Sequence, residues 1–296
     1  MKTPQQSYPA LAKALGIDTL FLKREDQHPY GSHKGRSIPH MIKTYVKRDD
    51  IRNFVISSSG NAGLAAIRMV QKHNQNNPDK QITLTVFIGN NIEQEKLDIL
   101  TSEIGTTSNE ILLKQVERPK QEAFALDKSG TATSLRQSTD DLALEGYTDL
   151  ATELYKIPHL SAVFIPTSSG TTAQAVAEFF ITKDPIPQVH IVQTTSCHRL
   201  AEALGTTSNK TEHSIAGAIV DNIAHRKLPV TDAIKKTQGT AWIPTDDEIL
   251  SAQTLVKETA KIDISPNSAL AVAGLQKALA SGLVFDGAVV CVITGR

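Results

Sequence analysis

The sequence predicts an α/β fold built from twisted, mainly parallel sheets. Short apolar runs alternate with helical patterns along the whole chain, and most of these runs are hydrophobic on both faces. Strands of that kind are typical of parallel sheets covered by helices on both sides. Strand–helix alternation is the sequence pattern of α/β proteins.

The amino-acid composition limits the kinds of binding partner that are expected. Of the 296 residues, 40% are hydrophobic, and 31 Lys and Arg residues balance 31 Asp and Glu residues. This balance gives no electrostatic reason to expect nucleic acid or an anionic membrane as a partner. Cys197 and Cys291 are far apart, so no metal site is expected and both predict reduced thiols in a cytoplasmic protein. The start of the chain shows no signal-peptide pattern, and no apolar run reaches membrane length.

The predicted elements follow one another regularly. The strand candidates, in chain order, are Thr19–Lys23, Asn53–Ser57, Ile82–Ile88, Ala162–Ile165, Val189–Gln193 and Gly287–Ile293. The helix candidates are Ala62–Lys72, Glu93–Ser102, Asp140–Tyr155, Thr172–Ile181, Asp246–Ala260 and Ser268–Ala280. Polar stretches predict loops or element ends near residues 73–80, 106–109, 131–138 and 206–213.

The first candidate site is the run Gly31–Arg36, where Lys34 follows a turn and begins a helix. A helix N-terminus disfavours an ammonium ion, so a lysine there is better suited to imine formation than one in solvent. Taken alone, the same lysine is better explained as a solvated residue at a basic helix start, because lysines are common and short motifs often mislead.

The second candidate site is the run Ser58–Asn61, which joins a strand to a helix. Its hydroxyls, flexible glycine and amide can surround a carboxylate at a helix N-terminus. The alternative is a well-capped helix with no ligand.

Two later junctions have the same character. Thr167–Thr171 forms a hydroxyl-rich turn before a helix, where it can hold a phosphate. Thr294 follows the last buried strand and carries no signal of its own.

In this order, the four junctions resemble those of the fold-type II pyridoxal-phosphate enzymes. That superfamily contains threonine synthase, threonine and serine ammonia-lyases, cysteine synthase and the tryptophan synthase β chain. The resemblance runs from Thr3-Pro4 to Thr294-Gly295, and Leu144–Leu154 and Ile264–Ala269 also look like elements of the family.

The resemblance implies pyridoxal 5'-phosphate as cofactor and a role for each junction. Lys34 would bind the cofactor as a Schiff base and, once freed, move the substrate α-proton as the catalytic residue. Ser58, Ser59, Gly60 and Asn61 would bind the substrate carboxylate, with Asn61 also near the cofactor ring. Thr167, Ser168, Ser169, Gly170 and Thr171 would hold the cofactor phosphate, and Thr294 would bond the pyridine nitrogen.

The family also implies two domains with the cofactor in the cleft between them. Residues 1–44 and 148–296 would form the larger, cofactor-binding domain. Residues 45–147 would form a smaller inserted domain that carries the carboxylate-binding run. A small amino-acid substrate and a homodimer are expected. Because relatives usually continue beyond the point that matches Arg296, the remaining tail is expected to be absent or supplied by a partner.

The reaction is expected to be a β- or γ-elimination or replacement on a small hydroxy- or phospho-amino acid. Ile293-Thr-Gly295 and Ser214–Asn222 resemble threonine synthase. However, Ala143 stands where threonine synthases place an arginine that grips the substrate phosphate. A threonine or serine ammonia-lyase, or a cysteine synthase-like replacement enzyme, therefore stays open. Indole chemistry is not expected, because residues 57–61 contain no acidic side chain.

Two further alternatives belong to other classes. Gly35 stands where an aspartate usually follows the lysine, and Ser168 and Ser169 stand where glycines are common. These departures are compatible with a catalytically inactive relative that binds an amino acid or a protein partner. An unrelated α/β protein with four capped helices is the remaining alternative.

Overall fold

The computed structural model describes residues 2–105 and 110–295, so the loop predicted at 106–109 lies outside the described residues. The chain forms two compact units. The larger unit contains the residues up to His28 and those from Tyr147 onward, and the smaller unit spans Pro29–Gly146. Each unit has its own sheet, and nearly all strand pairs in both sheets are parallel. The predicted α/β class with mainly parallel sheets is confirmed.

The larger unit is built on a six-stranded sheet. Its strands are β1 Gln5–Ser7, β2 Leu20–Arg24, β7 Leu160–Pro166, β8 Gln188–Val192, β9 Ala241–Trp242 and β10 Ala288–Ile293. Its helices are α1 Pro9–Leu15, α7 Thr148–Tyr155, α8 Thr171–Ile181, α9 Arg199–Ala203, α10 Lys227–Lys236, α11 Asp246–Ala260 and α12 Pro266–Ala280. The strand order is β1-β2-β10-β7-β8-β9, and only β1 is antiparallel to its neighbour.

The last strand of the chain lies inside this sheet. All residues of β10 are buried, since β2 and β7 flank it and helices cover it. Its apolar side chains join those of β2, α11 and α12 in one core, with Leu22, Val256 and Leu270 among the fully buried members. Burial on both faces explains why β10 is a continuous apolar run in the sequence.

The smaller unit is built on a four-stranded parallel sheet of order β5-β4-β3-β6. Its strands are β3 Asn53–Ser57, β4 Thr83–Gly89, β5 Ile111–Val116 and β6 Thr133–Ser134. Its helices are α2 Lys34–Asp49, α3 Asn61–Asn76, α4 Gln94–Ile104, α5 Pro119–Lys128 and α6 Leu142–Glu145.

Helix α2 belongs to the smaller unit. Its apolar residues Ile38, Met41 and Ile42 are fully buried and share a core with Phe54 of β3 and Ile67 of α3. The first boundary between the units therefore falls after His28, whereas the sequence placed it after residue 44. Lys34 consequently lies in the smaller unit with the Ser58–Asn61 run.

The predicted helix Asp140–Tyr155 is divided into α6 and α7. The division is at Gly146, where a Cβ atom would come within 2.6 Å of Ser37 Cα in α2. The chain passes from the smaller to the larger unit at the same point. Among the described helices, none is long and apolar enough to cross a membrane.

Candidate active site

The predicted site residues lie at the carboxyl ends of parallel strands, where open α/β sheets bind ligands. They form two groups, one in each unit. Lys34 and Ser58–Asn61 belong to the smaller unit, and Thr167–Thr171 and Thr294 belong to the larger unit.

Lys34 is the first residue of α2, as the sequence predicts. Its backbone N–H donates to the hydroxyl of buried Ser32 at 3.3 Å, which fixes the turn before the helix. The first turn of α2 contains no acidic residue. The lysine side chain is half-buried, while Gly35 behind it is buried.

The Ser58–Asn61 run occupies the connection between β3 and α3. Ser58, Ser59 and Gly60 form the connection, and Asn61 begins the helix. The Gly60 N–H donates to the Ser58 hydroxyl at 3.3 Å, and no side chain caps the helix. The first amides of a helix have no intrahelical partner, so this terminus can bind an anion such as a carboxylate.

The topology brings Lys34 and this run to one edge of the sheet. Three-residue connections join α2 to β3 and β3 to α3, so both helices run opposite to the strand. Their N-termini therefore lie at the carboxyl end of β3. The two helices also pack against each other. A lysine and an anion-binding helix terminus thus share one edge of the four-stranded sheet.

A cavity of about 480 Å³ opens beside Ser59 at this edge. Its other lining residues lie at the end of β4 or just after β4 and β5; they are Gly89, Asn90, Asn91, Ile92 and Glu117. The volume suits a small molecule. Asn90, Asn91 and Glu117 are not among the predicted site residues. Asn90 and Asn91 lie close behind the predicted strand Ile82–Ile88, whereas no strand was predicted before Glu117.

In the larger unit, the turn Thr167–Gly170 joins β7 to α8, which begins at Thr171. The Thr167 and Thr171 side chains are only 3% and 1% exposed. The Thr167 hydroxyl donates to the Ile165 carbonyl at 2.7 Å, and the Ser169 and Thr171 hydroxyls share a hydrogen bond of 3.0 Å. The turn is therefore ordered by its own hydroxyl groups.

Gly170 is required by the shape of this turn. Its φ of +89° is left-handed, and a Cβ atom there would come within 2.5 Å of Val230 Cγ2. No side chain caps α8, and its first turn contains no acidic residue. Hydroxyl groups at an uncapped helix N-terminus form a donor set that fits a phosphate monoester.

One side chain outside this turn supports it. Gln193, which follows β8 and is fully buried, donates to the Thr167 carbonyl at 3.2 Å. Its carbonyl oxygen accepts the backbone N–H groups of Leu200 and Ala201, each at 2.9 Å. Gln193 ends a predicted strand and has no predicted role. Only its contact with a residue 26 positions away reveals that it orders the turn.

Ser168 has partners of a different kind. Its Oγ accepts backbone N–H groups from Val220 at 3.1 Å and Asp221 at 3.2 Å. The Ser168 side chain is thus engaged with a segment about 50 residues further along the chain.

Thr294 follows β10 and is 6% exposed. Because β10 pairs in parallel with β7, with Cys291 opposite Phe164, Thr294 lies at the same sheet edge as Thr167. The Gly295 carbonyl accepts the hydroxyls of Ser265 and Ser268 at 2.9 and 2.7 Å. Thr294 and the Thr167–Thr171 turn thus follow neighbouring strands of one sheet.

Charged pairs surround the neighbouring end of β2. Arg24, opposite Ile293 of β10, forms a bidentate pair with Asp26 at 2.8 and 2.7 Å. The hydrogen bond with Asp26 raises the pKa of the Arg24 guanidinium. Lys23 is buried and lies 2.5 Å from Glu153. Each of these buried charges has an opposite partner, as stability requires.

Ala143 is fully buried in the core of the smaller unit, and its carbonyl accepts the Ser37 hydroxyl at 3.0 Å. Arg136, the nearest preceding arginine, is half-buried and donates to the Ser138 hydroxyl at 3.1 Å.

Comparison with known proteins supports the family suggested by the four junctions. A family model described as "Pyridoxal-phosphate dependent enzyme" matches residues 1–295. Threonine synthase of Methanocaldococcus jannaschii is 27% identical over 99% of this chain and 74% of its own length. The mouse L-serine dehydratase/L-threonine deaminase is 32% identical over 52% of this chain and 44% of its own length.

Solved structures agree on the fold. A pyridoxal 5'-phosphate-dependent aspartate racemase superposes with a TM-score of 0.83 at 19% identity, covering 100% of this chain and 90% of the other. The processed threonine deaminase isoform 2 of Solanum lycopersicum superposes with a TM-score of 0.81 at 19% identity, covering 100% and 79%.

Proposed function

Because this chain belongs to the pyridoxal-phosphate-dependent enzyme family, we propose that it is a lyase acting on a small hydroxy- or phospho-amino acid. It would remove the α-proton and eliminate or replace a β- or γ-substituent. The observation that carries the proposal is that Lys34 and the Ser58–Asn61 run share one sheet edge. A threonine synthase-like reaction is the first candidate, supported by the match with threonine synthase over nearly the whole chain.

The residues that would hold the cofactor come from both units. Lys34 would hold pyridoxal phosphate covalently, the Thr167–Thr171 turn would hold its phosphate, and Thr294 would bond its pyridine nitrogen. Asn61 would lie near its ring. The uncapped α8 terminus and the hydroxyl groups before it support the phosphate assignment. We also propose a homodimer and a cytoplasmic location.

When bound, pyridoxal phosphate supplies an electron sink for negative charge at the substrate Cα. The chain's own residues would do the rest. Ser58–Asn61 would orient the substrate through its carboxylate, and the Lys34 amine would take the α-proton and return it as general base and acid. The Thr294 hydroxyl is neutral and would stabilise a positive pyridine nitrogen less than a carboxylate would, an environment that suits substrates with a ready leaving group.

A threonine or serine ammonia-lyase is the second candidate, and Ala143 favours it. Because Ala143 is fully buried in the core, its position offers no cation to a substrate phosphate. Among the described residues, the lining of the cavity beside Ser59 includes Glu117 and no basic residue. Both features suit an uncharged hydroxyl leaving group better than a phosphate.

The first experiment replaces the lysine. We expect the purified protein to take up pyridoxal phosphate with a visible absorption band, and Lys34→Ala to lack that band and all turnover. Lys43→Ala, on an exposed position of the same helix, is the matched control and should keep both. Persistence of the band in Lys34→Ala would reject Lys34 as the cofactor lysine.

A substrate panel then separates the candidates. Serine, threonine, phosphohomoserine and acetylserine are offered, and keto acid, phosphate and thiol adduct are measured. Phosphate release from phosphohomoserine supports the first candidate, and keto acid from serine or threonine supports the second. A thiol adduct from acetylserine supports a cysteine synthase-like enzyme. Cofactor uptake without turnover of any of these supports an inactive, binding relative.

A further inference from the structure

Ser168 contacts a segment that the proposed reaction does not use. This segment, Ser214–Asp221, is called the strap below. The Ser168 Oγ accepts the backbone N–H groups of Val220 and Asp221 at 3.1 and 3.2 Å, across 52 and 53 residues of sequence. The Ser168 hydroxyl therefore links the Thr167–Thr171 turn to this distant segment.

The strap has no helix or strand and is held by side chains of its neighbours. The Asp246 carboxylate accepts the Ser214 hydroxyl at 2.6 Å and the Ile215 N–H at 3.1 Å. The Asn267 side-chain oxygen accepts the Ala218 N–H at 2.9 Å.

These two anchors belong to the first turns of α11 and α12. Ser168 is the anchor that belongs to the proposed phosphate site. Val220, next to it, is 58% exposed. Ile219, one residue earlier, is 6% exposed and packs in the core of the larger unit, so burial fixes the strap up to Ile219 and the Ser168 hydroxyl holds the N–H groups that follow.

The hydroxyl still has a proton to donate. Oxygen of a serine side chain can accept two hydrogen bonds and donate one. Both accepting positions of Ser168 are filled by the strap, and within the described part of the chain its proton is given to no acceptor. Two N–H donors on one oxygen polarise the hydroxyl and strengthen it as a donor.

We propose that Ser168 is a positioning residue that couples the strap to the cofactor phosphate. Its oxygen would hold Val220 and Asp221, and its proton would bond a phosphate oxygen at the same turn. Phosphate binding would then stabilise the seated strap, and a seated strap would strengthen phosphate binding by the same factor. This inference rests on the proposed function, because it requires the phosphate at Thr167–Thr171.

The test measures hydrogen exchange of the peptide covering residues 216–223, without ligand, with pyridoxal phosphate and with inorganic phosphate. We expect pyridoxal phosphate to slow exchange at Val220 and Asp221 by about tenfold or more in the native protein, and inorganic phosphate to slow it less. Ser168→Ala should show no ligand-dependent slowing, and Ser168→Thr, which keeps a hydroxyl, should restore it.

A second readout separates coupling from a purely structural role. Ser168→Ala should bind pyridoxal phosphate several-fold more weakly and leave the affinity for pyridoxal, which lacks the phosphate, unchanged. Ser214→Ala is the matched control, since it removes one hydrogen bond between the strap and Asp246 without touching the turn. It should speed exchange of the strap in both states and keep the ligand-dependent slowing.

The outcomes are distinct. Uptake of cofactor at Lys34 together with strap exchange that ignores the cofactor, or that is slowed equally in Ser168→Ala, overturns the coupling and leaves the proposed function standing. Equal loss of pyridoxal and pyridoxal phosphate affinity in Ser168→Ala also overturns it. Failure of the native protein to take up pyridoxal phosphate overturns the proposed function and this inference with it.

Discussion

At the scale of single residues, the candidate site depends on backbone geometry as much as on reactive groups. Two properties require glycine at position 170: a left-handed φ of +89°, and a lack of space for a Cβ atom beside Val230. The chain offers a comparison for separating these two needs. Gly282 has the same φ of +89°, with open space where a Cβ would lie.

Gly170→Ala is expected to destabilise the protein by about 2–5 kcal/mol, since the left-handed conformation costs about 1–2 kcal/mol and the overpacking against Val230 about 1–3 kcal/mol. Gly282→Ala should cost about 1–2 kcal/mol, because only the first cost applies. Urea unfolding of both variants checks the difference. Cofactor affinity should fall in Gly170→Ala alone. Equal destabilisation of the two variants would contradict the packing argument.

At the scale of elements, the N-termini of α8, α11 and α12 differ in their side-chain capping. No side chain caps α8, in keeping with a ligand there. Helix α11 is closed by a capping box, in which the Thr245 hydroxyl accepts the Glu248 N–H and the Glu248 carboxylate accepts the Thr245 N–H. Ser265 caps α12. The capped starts carry the strap anchors Asp246 and Asn267, so they serve as fixed supports.

Thr245→Ala is expected to destabilise the protein by about 1 kcal/mol through loss of the cap. Thr254→Ala, in the middle of the same helix, is the matched control. The Thr254 hydroxyl bonds the Leu250 carbonyl on an exposed face, and alanine is the better helix former there, so this change should be neutral or slightly stabilising. Urea unfolding followed by circular dichroism measures both. A Thr245→Ala variant as stable as the native chain would remove α11 as a fixed support.

At the scale of the whole molecule, the two units have separate apolar cores, and the chain passes between them twice. The larger unit contains a buried histidine that adds a pH dependence. His190 stacks on Phe164 with ring centroids 4.6 Å apart, and its Nδ1 accepts the Trp242 indole N–H at 3.3 Å. Burial lowers the pKa of His190 to about 4.

Because the folded pKa of His190 lies below the unfolded value of about 6.5, the unfolded chain binds the proton first. The stability that the neutral imidazole contributes is complete above about pH 6.5 and is lost as the pH falls towards about 4. The loss is at most about 3 kcal/mol, on the scale of about 1.4 kcal/mol per pKa unit.

Urea unfolding at several pH values between 7.5 and 4.5 measures this effect. Trp242, the one tryptophan of the chain, contacts His190 and reports on the larger unit by fluorescence. His190→Phe, which does not titrate, should be less stable at neutral pH and show a shallower pH dependence. An unchanged slope in that variant would show that other groups cause the acid sensitivity.

The sequence by itself determined the fold class, the cofactor family and the order of the four junctions, because each of these depends on neighbouring residues. A buried strand, a turn and a helix start are all readable within about fifteen positions, as at Thr167–Thr171 or before Lys34. Helix α2 was the exception, because its sequence does not indicate whether its apolar face packs in the core of the larger or of the smaller unit. Only its packing against α3 placed Lys34 in the smaller unit.

The tertiary structure alone decided which distant groups meet. β10 lies between β2 and β7, Gln193 orders Thr167, and Ser168 holds Val220 and Asp221. Each of these contacts joins residues separated by 26 to more than 100 positions, and polar side chains such as serine and glutamine have many possible partners. Local sequence patterns do not indicate which of these hydrogen-bond partners a side chain contacts. That choice is made by the packing of the whole unit, in which nearly all buried polar groups form hydrogen bonds.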